Sequence, residues 1–310
     1  MFSILIPTWN NLSCLKLCVE SIQKYSSQPH EIIIHVNDGS DGSLEWVKAQ
    51  GLRYSHTEKN VGICLSVNNL AAKARSDWLL YMNDDMVACP NWDVAFEEAI
   101  AETQTDLALY FGTLIEPRKS QSPLIINQNY GTMPEEFDEA ALLDNYMNEA
   151  RGDLEGAALQ PTLVHRKWWT AVGGYSIEFS PGMSTDDDLL MKFWVAGCRN
   201  FRVVGNSRFY HFGFKSTGRV KHNLGGRIFA TKWGITQKEF FNNYLATLRN
   251  KPAAGNEYAI GSCASDFPRA TRLGRLRRVG YGLTQDYPLE DIAAWDSQSA
   301  VGKWDEGGEK

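Results

Sequence analysis

Two adjacent carboxylates, Asp84 and Asp85, close the run Asp77-Trp78-Leu79-Leu80-Tyr81-Met82-Asn83. The apolar residues before them suit a strand covered on both faces. Uncompensated burial of ionised carboxylates is costly, so the pair belongs at the carboxyl end of that strand. Ligands bind at this edge in open α/β sheets. Adjacent acids there can hold a hard cation such as Mg2+ or Mn2+. Neighbouring side chains on extended backbone point to opposite faces, which leaves one of the two as a direct ligand. A second acidic group, Thr185-Asp186-Asp187-Asp188, opens a helical pattern through Ala196 that stops at Gly197. Thr185 reads as its N-cap, and the helix dipole favours acids in the first turn. Consecutive helical residues point in different directions, so at least one of the three acids can face a cleft and act as a general base. His211, among aromatic residues and followed by Gly213, Lys215 and Gly218, is by itself a structural residue beside a weak anion-loop signal.

The elements needed to position these groups can be read along the chain. Strands are expected at Ser3–Pro7, Glu31–Val36, Arg53–His56 and the run ending at Asp84. They alternate with helices over Leu12–Tyr25, Leu44–Ala49 and from Gly62 to about Arg75. This alternation predicts an α/β fold, a three-layer α/β/α sandwich on a mostly parallel sheet with right-handed crossovers. Pro90 is expected to open a helix over Trp92–Ile100, followed by a strand at Asp106–Ile115. Residues 116–153 break the pattern and read as an excursion over the sheet's open edge, with one helical piece near Glu135–Tyr146. Ala157–His165, Phe201–Val204 and Arg208–Phe212 read as strands, and Trp168–Val172 as a short helix. Beyond Leu224, helices pack on the flank before a polar tail.

Composition narrows the function classes. The 310 residues are 43% hydrophobic, enough for one large core or for one core plus a smaller appended unit, and the net charge of -6 gives no electrostatic case for nucleic acid. The first residues lack a signal-peptide pattern, and nothing approaches the roughly 18 apolar residues of a membrane span. The cysteines are scattered, with Cys14 and Cys18 on one helix face as core residues, which fits a reduced, cytoplasmic protein. Arg269, Arg272, Arg275, Arg277 and Arg278, interleaved with Leu273, Leu276 and Val279, read as a strip that docks on the chain's own acidic body or stays solvated, with peripheral contact to an anionic membrane or a phosphorylated acceptor as the alternative.

Six stretches occur in order: Ser-Ile-Leu-Ile-Pro-Thr-Trp-Asn (3–10), Val-Asn-Asp-Gly-Ser-Asp-Gly (36–42), Asn-Val-Gly (60–62) with Asn68, Tyr-Met-Asn-Asp-Asp (81–85), Val-Gly-Gly-Tyr (172–175) with Thr-Asp-Asp-Asp-Leu (185–189), and His-Phe-Gly-Phe-Lys-Ser (211–216). From Phe2 to about Gly218 this series resembles the inverting family 2 glycosyltransferases of GT-A fold. The resemblance implies a nucleotide-diphospho-sugar donor, a UDP-sugar, lying across the first strands, with Pro7 and Trp9 at the base. It places Asp38 at base or ribose, Asn60 and Asn68 along the nucleotide, and Asp84 at ribose or sugar. Asp85 becomes the metal ligand, joined by His211 at the metal or diphosphate. Asp186 becomes the catalytic base with Asp187 as its rival. Apart from the resemblance, Lys215 and Arg219 read as solvated charges, with stabilisation of the departing diphosphate as the alternative. Asn37, Asn83, Thr185 and Val67 stand where the family commonly has Asp, an acid, Glu and Arg.

The implied domains are a catalytic unit over 1–222, with a nucleotide-sugar half to about 115 and an acceptor half over 116–222, followed by a helical extension over 223–310. The implied activity is metal-dependent (Mn2+ or Mg2+) transfer of a sugar to a hydroxyl on a glycan, lipid-linked or protein acceptor. Two alternatives differ in kind. A sugar nucleotidyltransferase would want a glycine-rich basic loop after the first strand, where Thr8-Trp9-Asn10-Asn11-Leu12 stands. A non-catalytic nucleotide- or sugar-binding module would explain the thinned acidity, but not the presence together of Asp38, Asp85, Asp186 and His211.

Overall fold

The computed structural model describes residues 1–120, 122, 124–213, 219, 224–245 and 276. The first half alternates as read: β1 (Ser3–Trp9), α1 (Leu12–Tyr25), β2 (Glu31–Asn37), α2 (Ser43–Ala49), β3 (Arg53–Thr57), α3 (Gly62–Lys73) and β4 (Trp78–Tyr81). Then follow β5 (Met86–Ala88), α4 (Trp92–Thr103), β6 (Ala108–Glu116), β7 (Ile125–Asn127), α5 (Glu139–Asn145), β8 (Leu154–Glu155), β9 (Thr162–His165), α6 (Arg166–Ala171), α7 (Thr185–Val195), β10 (Asn200–His211), α8 (Gly225–Trp233) and α9 (Gln237–Asn243).

Among the described residues one sheet runs β3-β2-β1-β4-β9-β6-β10-β5, with β7 on β6 and β8 on β10. Strands β1, β2, β3 and β4 pair in parallel, as do β6 and β10. Strand β9 lies antiparallel between β4 and β6 and joins the two halves, while β5 and β8 pair antiparallel with β10. The sheet is therefore mixed, and β9 is shorter than the expected Ala157–His165. Alternating side chains feed two cores. Ile4, Ile6, Ile32, Ile34 and Leu80 pack under α1, α2 and α4, whereas Leu5, Ile33, Leu79 and Tyr81 pack under α3, α6, α7, α8 and α9. The chain builds outward from β1 to β3 and then returns to β4 on β1's other side. That reversal opens a crevice at the carboxyl ends of β1 and β4.

Several boundaries differ from expectation for local reasons. Pro90 stands before α4, and Asn91, with φ 61°, precedes its first residue. Thr185 is the first helical residue of α7; Ser184 (φ 66°) is the N-cap, and the Thr185 hydroxyl donates to the Gly182 carbonyl at 2.7 Å. The two strands expected at 201–204 and 208–212 are one strand, β10, whose register with β6 slips between Val204 and Arg208, a bulge that redirects it. The segment 116–153 crosses the open edge with its own small core, where Ile126 and Leu142 meet Val87, Tyr210 and Phe212. Helices α8 and α9 pack on the flank through Phe229, Phe240 and Phe241. Lys215 and the arginines of the 269–278 run lie outside the described residues, and no helix among those described is long and apolar enough to cross a membrane.

Arg208, fully buried at the bulge, holds this excursion down through backbone carbonyls. Its guanidinium donates to the carbonyls of Gly205 (3.1 Å), Glu149 (2.7 Å) and Tyr146. Only a planar, multi-donor head can serve acceptors spread in this way. Arg208→Leu strands these carbonyls and is expected to lower unfolding free energy by about 3 kcal/mol in urea melts. Arg208→Lys should recover less than half of the loss.

Candidate active site

The crevice is a cleft of about 820 Å³ at the ends of β1 and β4. Pro7, Trp9, Asn60, Asp84, Asp85 and Asp186 all line it, so residues far apart in the sequence meet on one concave surface. Asp38, Asn68, Asp187 and His211 are not part of that lining.

The turn after β2 is built from short polar side chains. Asp38 takes φ 65°, and its carboxylate accepts from Asn10 Nδ2 (2.9 Å) and the Ser40 amide (3.2 Å). Hydrogen bonds from Ser40 and Asn10 hold its pKa below the usual range. Gly39 (φ +82°) cannot be replaced without strain, because a Cβ would lie 2.9 Å from both Leu44 and Val36. Asp41 accepts from the Leu12 amide at 2.8 Å and the Ser43 amide at 3.0 Å, satisfying the starts of α1 and α2 together. Asn37 is buried. Its amide donates to Thr8 O (3.2 Å) and Ser66 Oγ (3.3 Å), and its oxygen accepts from the Val61 amide (2.9 Å). A carboxylate could not make the first of these bonds, which accounts for an amide at this position. The Asn60 oxygen accepts from the Gly62 amide at 2.9 Å and shapes the entry to α3.

Asp84 and Asp85 sit in the turn between β4 and β5, and their partners diverge. Asp84 accepts from the Thr8 hydroxyl at 2.6 Å; burial and the neighbouring Asp85 charge push its pKa up to about 7. Asp85, 4% exposed, lies 3.4 Å from His211 Nε2. The other imidazole nitrogen, Nδ1, is 2.7 Å from Glu116 Oε1 at the end of β6. Burial disfavours the charged imidazole, but the two carboxylates prevail and raise its pKa to about 9. Glu116 escapes sequence reading because only the pairing of β6 with β10 brings it to His211.

The three acids of α7 separate by direction. Asp186 Oδ1 accepts from Gln160 Nε2 and from the Tyr175 hydroxyl, each at 2.6 Å. Asp187 accepts from Gln237 on α9. Asp188 is fully buried and accepts from Trp233 Nε1 (2.8 Å) and Ser176 Oγ (2.6 Å), with Lys232 Nζ at 2.9 Å. Asn68 does not reach the cleft. Its amide pairs with the backbone of Tyr175, accepting at 2.8 Å and donating at 2.7 Å. Arg219 does reach it, with its guanidinium 4.2 Å over the Trp9 ring and donating to Trp9 O at 2.9 Å. One wall thus offers the carboxylates of Asp84 and Asp85, with the His211 imidazole behind Asp85, and another presents the Asp186 carboxylate across the cleft.

Residues 3–146 match the model of Glycosyl transferase family 2. Over 175 residues the chain is 25% identical to the cholesterol galactosyltransferase of Borreliella burgdorferi, covering 53% of this chain and 48% of that protein, so it spans about half the length of that relative. The fold is similar to that of S. aureus TarS residues 1–349, with TM-score 0.54, 14% identity, and 76% of this chain covered against 66% of the other. The same protein in complex with UDP-GlcNAc gives TM-score 0.55 at 14% identity, covering 76% and 67% of the two chains. Residues 3–146 are thus similar to family 2 glycosyl transferases, and the described residues have the mixed α/β architecture of the GT-A fold.

Proposed function

We propose that the protein is an inverting glycosyltransferase that moves a sugar from a UDP-sugar to a hydroxyl of a glycan, lipid-linked or protein acceptor, with Mn2+ or Mg2+ at the donor diphosphate. The observation that carries this reading is the meeting of Asp84 and Asp85 with Asp186 across one cleft at the β1/β4 reversal. In this reading residues 1–115 form the donor half and 116–222 the acceptor half.

The donor set suits a hard cation. Asp85 and His211 face each other, and Glu116 on the far imidazole nitrogen orients the ring as a carboxylate behind a metal-bound histidine does. Asp85, with His211 beside it, would hold the cation; among the described residues no group of three or more His, Cys, Asp or Glu side chains could hold one unaided. When bound, such a cation acts as a Lewis acid on the leaving diphosphate. Pro7, Trp9 and Asn60 hold the nucleotide end. Asp38 acts on ribose directly or through Asn10, and Asp84 meets ribose or sugar. Arg219 brings positive charge to the departing phosphates. Asp186 takes the proton of the acceptor hydroxyl. The acceptor oxygen then bonds to the anomeric carbon as the bond to the phosphate oxygen breaks, and that electron pair leaves with the diphosphate. Attack from the face opposite the leaving group inverts the anomeric centre.

A panel of UDP-sugars, assayed for UDP release with Mn2+ and with EDTA, tests the reading; nucleotide binding without release from any donor would overturn it. Asp85→Ala is expected to weaken Mn2+-dependent UDP binding by at least tenfold, on the order of one lost charged ligand, and to leave the EDTA value unchanged. Asp186→Asn should keep UDP binding within twofold and slow transfer by roughly 10²–10⁴. Full turnover in that variant, with loss in Asp187→Asn, would move the base by one residue.

A further inference from the structure

The Asp186 carboxylate is held by groups outside its own helix. Tyr175, on the loop before α7, and Gln160, on the segment entering β9, both donate to its Oδ1 at 2.6 Å. Tyr175 is only 2% exposed, and its ring is wedged edge-on against Tyr81 (5.9 Å, 87°) and Trp169 (5.2 Å, 79°). Its backbone is fixed on both sides by the single Asn68 amide from α3. Gly174 before it has φ +56°, and a Cβ there would collide with Asn68 Oδ1 and the Trp169 indole. The phenol therefore has little freedom, and its oxygen is set in advance at the carboxylate. Burial, with the Asp186 charge added, pushes the Tyr175 hydroxyl well above its ordinary pKa, so it remains a donor throughout the neutral range.

We infer that Tyr175 and Gln160 are positioning residues for the catalytic base, fixing the direction and proton affinity of Asp186 through one carboxylate oxygen, and that Asn68 serves the same end by fixing Tyr175. This rests on the reading of Asp186 as the base. Two donors to the ionised form stabilise it, which lowers the pH at which the carboxylate becomes able to accept a proton. They also select one rotamer, and a base works only within hydrogen-bond reach of the proton it takes. Among the described residues, the titratable groups facing Asp186 include Tyr81 on β4 and Cys64 on α3, with Asp187 and Asp188 beside it on α7. None of these is altered by removing the Tyr175 hydroxyl. A plain core role for Tyr175 and Gln160 predicts lost stability alone, so proton affinity separates the two accounts.

The experiment uses the full chain labelled with 13C at aspartate Cγ, titrated by NMR without ligand, with the Asp186 resonance identified by its loss in Asp186→Asn. Tyr175→Phe keeps the ring packing and is expected to raise the Asp186 midpoint by about one pH unit, the scale of one hydrogen bond to a charged group. Gln160→Leu should raise it comparably. With the UDP-sugar that gives the fastest UDP release, Tyr175→Phe should lower kcat about tenfold and move the acid limb of the pH profile upward by the same unit. The thermal shift given by UDP should stay at the wild-type value. An unmoved midpoint in both folded variants overturns the inference and leaves the base assignment standing. Wild-type turnover in Asp186→Asn overturns the base assignment and this inference together.

Discussion

Like charges on neighbouring residues repel, and Asp84 and Asp85 are placed where water can relieve little of that repulsion. The strand before them is covered on both faces, and Asp85 itself is buried. Each acid needs its own compensation, drawn from a different direction. Thr8, at the end of β1, supplies a hydroxyl to Asp84, and His211, at the end of β10, faces Asp85. Those two strands lie on opposite sides of β4 in the sheet order, separated from each other by β4, β9 and β6. The acidic pair is thus tolerable only in a sheet whose strands converge on one edge, and the bulge in β10 is part of how a distant strand brings its histidine there.

The same economy of direction governs α7. A helix turns about 100° per residue, so three successive carboxylates address three environments. Asp186 meets the cleft, Asp187 meets α9, and Asp188 enters a buried cluster with Lys232 and Trp233 of α8. The buried member has its charge matched by a lysine and its oxygens filled by hydrogen bonds, the condition under which a buried carboxylate is tolerated. The acidic start of α7 is accordingly more than a response to the helix dipole. Two of its acids tie the helix to the C-terminal elements, and the third is left in position at the cleft wall.

How much of this can be read in the sequence depends on range. Periodicity locates α1, α2, α3 and strands β1 to β4 closely, because each of those elements carries its own apolar pattern. It misses β5, β7 and β8, which are two or three residues long and gain their strand character only from pairing with β6 and β10. It also cannot show that β9 runs against its neighbours, since side-chain alternation is blind to direction. At the site, residue types identify the acids and the family resemblance adds His211, yet Glu116, Gln160 and Tyr175 become meaningful only through non-local contacts. Asn68 is the reverse case. A polar residue on a helix near the nucleotide end reads as lining, whereas its amide is occupied by the Tyr175 backbone.

The amides that stand among these acids show why counting charges is a poor guide to such a site. Asn37 must donate to Thr8 O and accept from Val61 N, which a carboxylate cannot do at once. Asn83 accepts from the Tyr81 hydroxyl at 2.9 Å, beside two carboxylates whose mutual repulsion already raises the pKa of Asp84. A third negative charge there would add to that repulsion, whereas an amide keeps the hydrogen bond and adds no charge. Thr185 spends its hydroxyl on the Gly182 carbonyl at the turn into α7, which leaves Asp186 as the first acid of the helix and the one facing the cleft. In each place the neutral side chain answers a local hydrogen-bonding or electrostatic demand, so the thinner acidity reflects how the cleft is assembled and is no sign that its chemistry has been given up.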